Sequence, residues 1–229
     1  MTQNPIIVAL DVESAADARA LVGRLGQHVN FYKVGMELYA AAGMEFVREL
    51  VGEGKDVFLD LKMYDIPETV KRAVAQVART GVRFLTIHAV GSAMRAAVEG
   101  RGDSGLKLLG VTVLTSFGPE DMDDLNYQGS IADLVERRAR KAVEVGMDGI
   151  VASPLEVSAV RRIAGPKTIL VIPGIRSAAN DKGDQKRVST PAEAMAAGAD
   201  YLVIGRQITR AADPAAEAAK VLAEICVAG

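Results

Sequence analysis

Two rhythms of apolar residues alternate along this chain. Short continuous runs that end on a charge, such as Ile6-Ile7-Val8-Ala9-Leu10 before Asp11 and Val57-Phe58-Leu59 before Asp60, predict buried strands. Between them apolar positions return every three or four residues, as amphipathic helices require. Eight strands are expected. They are Pro5 to Leu10, Phe31 to Val34, a third leading through Val57-Phe58-Leu59 into Asp60, Arg83 to His88, Leu106 to Leu114, Gly149 to Ala152, Thr168 to Ile172 and Tyr201 to Ile204. The helices between them start with Ser14 to Leu25, where Ser14 suits an N-cap and Gly26 a stop. One follows carrying Leu38, Phe46, Val47 and Leu50. The next opens at Pro67, carries Ile66, Val70, Ala73, Val74 and Val77, and stops at Gly81. Further helices span Ser92 to Glu99, Ile131 to Val145 and Pro154 to Ala164, and a last one holds Ile208, Ala211, Ala215, Ala218, Ala219 and Leu222. The acidic stretch after Gly118-Pro119 reads as a loop.

A loose repeat supports this order. Gly54, Gly81, Gly146 and Gly198 each close a helix just before a charged residue and a strand, where a left-handed conformation stops the helix. Eight strands alternating with helices, without a linker, predict an α/β protein of one domain over residues 1–229: a (β/α)₈ TIM barrel. An open doubly wound sheet is the alternative, but no Gly-rich dinucleotide fingerprint follows the first strand.

Composition narrows the picture. Of the 229 residues, 49% are hydrophobic and only 4% aromatic, so the core must be mostly aliphatic. A net charge of −2 gives no reason to expect nucleic acid or a membrane surface as partner. There is no signal-peptide pattern and no membrane-spanning run, so a cytoplasmic protein is expected. Cys226, the one cysteine, excludes an intrachain disulfide and reads as a passive thiol.

The candidate chemistry centres on Asp60-Leu61-Lys62-Met63-Tyr64-Asp65. Residues two apart on a strand share a face, which puts Asp60 and Lys62 on one side. A carboxylate beside an ammonium is costly to bury unless the two are paired. With Asp65 close by, the segment suits proton chemistry, and equally a structural ion pair with Asp65 opening the helix at Pro67. In a barrel, sites gather at the C-terminal strand ends. That rim would carry Asp11, Lys33, Asp60, Lys62, His88, Thr115, Ser153, Arg176 and Arg206. Singly, most have ordinary structural readings: His88 as a core histidine, Ser153 and Thr115 as strand-ending hydroxyls. Together, four cations at one end of a slightly acidic chain imply a small anionic ligand. Gly205 and Arg206, between a strand and a helix, suggest a phosphate site. The long polar stretch from 175 to 190 reads as a lid over it, with Arg176 and Gln185 as its contacts.

Asp60-Leu61-Lys62-Met63-Tyr64-Asp65-Ile66-Pro67 resembles the signature of the orotidine 5′-phosphate decarboxylase family. Ala9-Leu10-Asp11, Lys33-Val34-Gly35-Met36-Glu37, Val113-Leu114-Thr115-Ser116, Pro173-Gly174-Ile175-Arg176 and Ile204-Gly205-Arg206 resemble it too, in the family's order. The resemblance implies a homodimer that decarboxylates orotidine 5′-phosphate to UMP, the last step of de novo pyrimidine biosynthesis, without metal or organic cofactor. It makes Lys62 the proton donor, Asp60 its charged partner, and Lys33 a member of the same network that touches the ribose. Asp65 and Thr69 would reach the partner's site. Asp11 would bind ribose, Thr115 the pyrimidine, and Gln185, Gly205 and Arg206 the phosphate, with Arg176 in the same loop system. Glu68 departs from the family, which commonly has Asn there. Mg²⁺-dependent decarboxylases and synthases of sugar phosphates, built on the same Asp-x-Lys strand, are the nearest rivals.

Overall fold

The structure, a computed structural model, describes residues 4–177 and 189–227. Eight parallel strands close into a barrel in sequence order, β1 beside β2 and so on round to β8 beside β1. The strands are β1 Ile6–Ala9, β2 Phe31–Gly35, β3 Asp56–Met63, β4 Phe84–His88, β5 Lys107–Val111, β6 Gly149–Val151, β7 Ile169–Ile172 and β8 Tyr201–Ile204. The open doubly wound sheet is thereby excluded. Among the described residues ten helices surround the strands: α1 Ala15–Leu25, α2 Met36–Gly52, α3 Pro67–Val77, α4 Gly91–Arg101, α5 Pro119–Asp124, α6 Ile131–Glu144, α7 Val157–Ala164, α8 Pro191–Ala196, α9 Arg206–Thr209 and α10 Pro214–Val227. None of the described helices is long and apolar enough to cross a membrane.

The helix signals act as expected where they are local. The Ser14 side chain accepts the Asp17 N–H at the start of α1, and Gly26 ends it with φ at 54°. The four repeat glycines all lie in the left-handed region, at φ 75°, 82°, 80° and 107° for Gly54, Gly81, Gly146 and Gly198. Gly81 nevertheless stands four residues beyond the end of α3, closing a turn that continues the helix. Three expectations need correction. The final helix is split into α9 and α10 by a break before Pro214, the acidic loop after Gly118 contains α5, and α8 forms where no helix is expected.

Strand alternation divides the core into two layers. Residues such as Val8, Tyr32, Leu59, Leu85, Leu108, Leu170 and Leu202 face outward and pack under the helices. Inward, Ile7, Phe31, Phe58, Phe84, Leu109, Val171 and Tyr201 fill the barrel. Four of the ten aromatic residues, Phe31, Phe58, Phe84 and Tyr201, thus share one level inside it, with Phe31, Phe84 and Tyr201 in tilted and edge-on contacts at 5.0–5.6 Å. Arg83 lies over all three rings and ion-pairs with Asp56 at 2.6 Å. This floor supports the next inward layer, two residues further along each strand.

Close packing of the helices depends on one small residue. A Cβ at Gly100 in α4 would sit 2.2 Å from the backbone oxygen of Lys71 in α3. Helix propensity alone would make Gly100→Ala stabilising by about 1 kcal/mol. Forcing the helices apart costs about 1–3 kcal/mol or more, and the obstructing atom is backbone. We expect a net loss and a melting temperature lower by roughly 2–8 °C, read by thermal denaturation. A variant melting at or above wild type would mean that α3 and α4 separate without cost.

Candidate active site

Two residues above the aromatic floor, three inward positions turn polar. Phe31 is followed on its face by Lys33, Phe58 by Asp60 and Phe84 by Thr86. Lys33 and Asp60 side chains are only 11% and 13% exposed, so their charges need partners. They have them. The Lys62 Nζ donates to Asp60 Oδ2 at 2.9 Å, and Lys33 Nζ stands 3.8 Å from the same oxygen. Lys33 also donates to Asp11 Oδ1 at 2.9 Å. The result is an alternating chain of charge, Asp11–Lys33–Asp60–Lys62, drawn from β2, β3 and the residues just past β1. Gly35 leaves room for it, because a Cβ there would come 3.0 Å from the Lys33 ammonium.

Simple alternation does not explain how Lys62 arrives. Leu59 pairs with Leu85, but Met63 pairs with Ile87, so β3 takes four steps where β4 takes two. The two extra residues form a bulge, a common device for re-aiming a side chain. Within it Lys62 has φ at 48°. A non-glycine residue in that region costs about 1–2 kcal/mol and persists only where its surroundings hold it. Thr86 Oγ1 does part of the holding, accepting the Lys62 N–H at 2.8 Å and donating to Asp60 Oδ1 at 2.9 Å.

Two cavities open at this end of the barrel and share Lys33, Pro173 and Val203 in their walls. The smaller, about 200 Å³, has a largely apolar wall including Phe58, Val111, Val113 and Val151, and is also lined by Asp60, Lys62, Thr115 and Ser116. The larger, about 630 Å³, is polar and gathers Gly205 and four cations, Lys33, Arg176, Arg206 and Arg210, with four carboxylates, Asp11, Glu13, Asp17 and Glu37. Burial, and then the neighbouring charge of Arg206, lowers the Arg176 pKa from its ordinary value. Two guanidiniums close enough to oppose each other have the chemistry that suits an anion. The expected dipole of a long helix behind Gly205 contributes little, because α9 is a single turn.

Not every rim residue joins. Ser153 is fully buried and caps a short 3₁₀ turn, accepting the Leu155 N–H at 3.3 Å. His88 is half-buried, with its pKa lowered by burial first and then by the positive charges of Arg138 and Lys62. Its ring stands 6.0 Å, edge-on, from that of Tyr64. Both follow the structural reading. Asp65 and Thr69 are exposed and line neither cavity. The Asp65 carboxylate accepts the Ile66 N–H at 2.6 Å, and among the described residues it forms no ion pair with Lys62 of its own chain. Glu68 is exposed and pairs with Arg72. Gln185 and most of the expected lid fall outside the described residues. Thr86 and Gly35 are the site residues that sequence reasoning missed. The shared offset of two from Phe31, Phe58 and Phe84 is the signal that points to Thr86.

The comparisons agree with this geometry. A family model described as orotidine 5′-phosphate decarboxylase / HUMPS family matches residues 4–221. An orotidine 5′-phosphate decarboxylase of Nitrobacter winogradskyi is 53% identical over 225 residues, covering 98% of this chain and 94% of that protein. One from Rhodopseudomonas palustris is 51% identical over 223 residues, covering 97% and 95%. Among solved structures, orotidine 5′-phosphate decarboxylase from Lactobacillus acidophilus superposes with a TM-score of 0.87 at 36% identity, over 97% of this chain and 99% of that one.

Proposed function

The chain belongs to the orotidine 5′-phosphate decarboxylase / HUMPS family and is an enzyme that converts orotidine 5′-phosphate to UMP in pyrimidine biosynthesis, and from that premise we propose how its residues carry the reaction. The observation that supports the reading best is the partly buried Asp60–Lys62 pair on the wall of a largely apolar cavity that joins a polar one holding Arg176 and Arg206. The pyrimidine ring occupies the smaller cavity against Thr115, the ribose lies along Asp11 and Lys33, and the phosphate reaches Gly205, Arg206, Arg176 and Gln185.

Breaking the bond between C6 and the carboxylate releases CO₂ and leaves its electron pair on C6. No adjacent carbonyl delocalises that pair directly. The Lys62 ammonium faces it in a water-poor site, stabilises it electrostatically, and transfers a proton to C6 to give UMP. The amine then regains a proton from solvent. Asp60, near the departing carboxylate, holds Lys62 in place, and Lys33 links this pair to the ribose side. The domain spans residues 1–229 and works without metal or organic cofactor, in the cytoplasm. It is a homodimer, with Asp65 and Thr69 serving the partner's site. Their exposure in a single chain, beside exposed Tyr64 and Ile66, is consistent with a surface awaiting a second copy. A turnover assay following loss of orotate absorbance tests the whole reading. Activity on orotidine 5′-phosphate is expected to survive EDTA, and its loss would place the chain with the Mg²⁺-dependent branch.

The phosphate is remote from C6, so its binding energy serves to organise the site. We expect Arg206→Ala to lower kcat/KM by about one to two powers of ten, from a charged hydrogen bond contributing about 1.5–3 kcal/mol. An unchanged kcat/KM would contradict the phosphate assignment.

A further inference from the structure

We propose that Thr86 is a positioning residue for this reaction, acting through both members of the Asp60–Lys62 pair. The inference rests on the reading of that pair as the proton-transfer machinery. Thr86 is fully buried, and a hydroxyl with no access to water must find its partners inside the protein. It has two, and their chemistry leaves one arrangement. The Lys62 N–H can only donate, so Thr86 Oγ1 accepts from it at 2.8 Å. The carboxylate can only accept while ionised, so the Thr86 hydroxyl donates to Asp60 Oδ1 at 2.9 Å.

Each bond fixes something that no strand ladder supplies. The Lys62 N–H lies inside the bulge, where the register of β3 against β4 is lost. Without Thr86 that buried donor has no regular partner, and the left-handed backbone that aims Lys62 loses its tether. At Asp60 the hydroxyl takes Oδ1 and leaves Oδ2 to Lys62 at 2.9 Å, with Lys33 3.8 Å away. The carboxylate is thereby held in one rotation. A strand-interior threonine on β4 thus sets both the backbone of the proton donor and the orientation of its counter-charge. Misplacement by about 1 Å is enough to cost a large part of a rate that depends on preorganised charge.

Thr86→Val keeps the shape and removes both hydrogen bonds, whereas Thr86→Ser keeps the hydroxyl. The experiment compares kcat and KM for orotidine 5′-phosphate, inhibition by inorganic phosphate, and thermal melting in both variants, with Lys62→Ala alongside. We expect T86V to lose about 10- to 100-fold, as for hydrogen bonds to charged groups, and to lose it in kcat. Phosphate inhibition should stay within about twofold, because the cavity that holds Arg176 and Arg206 does not include Thr86. T86S should retain activity within about threefold of wild type. If T86V does not fold, Thr86→Cys replaces it, since a thiol is a weak donor, and the same loss in kcat is expected. Overturning results are a T86V or T86C enzyme with wild-type kcat, or a T86S enzyme that falls as far as T86V. If Lys62→Ala is inactive while T86V is normal, only the role of Thr86 fails. If Lys62→Ala also keeps its rate, the underlying reading of the pair fails with it.

Discussion

Lys62→Ala lowers kcat on orotidine 5′-phosphate by about four powers of ten, or roughly 5–6 kcal/mol of barrier. The size follows from what the substitution removes. Deleting a single preorganised hydrogen-bond donor in an oxyanion hole costs about 10²–10³. In the proposed mechanism Lys62 supplies more than one donor's worth: a full positive charge at the developing carbanion, and the proton that ends the reaction. Its surroundings amplify both, because Val111, Val113 and Val151 line the same cavity. Fold stability should fall modestly, since the poorly exposed Asp60 loses its 2.9 Å partner and keeps only Lys33 at 3.8 Å and the Thr86 hydroxyl. Steady-state assays with enough enzyme to exclude trace wild-type contamination measure the effect. A variant within tenfold of wild type would remove Lys62 from the chemistry.

The second large effect is at Asp60. Its carboxylate sits between two ammonium groups, 2.9 Å from Lys62 Nζ and 3.8 Å from Lys33 Nζ. Asp60→Asn preserves the shape and one acceptor but removes the charge that lets the two cations stand so close. At an effective dielectric of 20, unit charges about 4 Å apart interact by about 4 kcal/mol. The uncompensated lysines should move apart, and the Lys62 ammonium should leave the position from which it reaches C6. We expect kcat to fall by about three powers of ten, roughly 4 kcal/mol, with phosphate inhibition much less affected. An Asp60→Asn enzyme with kcat within tenfold of wild type would show that the charge alternation is ornamental to catalysis.

What could be read in advance, and what could not, divides along physical lines. The strand runs and the helix-stopping glycines are local signals, so the barrel was legible from runs such as Tyr201 to Ile204 and from Gly54, Gly146 and Gly198. Apolar period alone runs Ile208 through Leu222 into one helix. Pro214 at a helix start was the mark of the break between α9 and α10. Likewise Thr190-Pro191-Ala192-Glu193 carries the capping-box pattern that opens α8, and the Gly118 N–H bonds the Asp121 carboxylate at the start of α5. These were present in the sequence and hidden by the polar stretches around them.

The site shows a different boundary. Asp60 and Lys62 stood out because two opposite charges two residues apart in an apolar strand demand an explanation. How they meet could not be foreseen, since the bulge is a property of the β3–β4 register and not of either strand alone. Thr86 escaped notice because one hydroxyl in Phe84-Leu85-Thr86-Ile87-His88 is an ordinary strand residue until its neighbours on the adjacent strand β3 are known. Asp65 illustrates the converse. Its place in the motif suggested a partner for Lys62, yet in the single chain it is exposed and turns to its own backbone. A signature records which residues share a task, not which of them touch within one subunit.

The central claim is that position 62 must present an ammonium group, and chemical rescue addresses it most directly. Lys62→Cys, in a chain where Cys226 is replaced by Ser, is assayed before and after alkylation with 2-bromoethylamine, which converts the thiol into a close analogue of the lysine side chain. Mass spectrometry reports complete modification. The account predicts an inactive cysteine enzyme that regains at least about a hundredfold in kcat, close to 3 kcal/mol, once the ammonium is restored. A cysteine enzyme that already turns over at the wild-type rate, or a fully aminoethylated one that gains nothing, would contradict it.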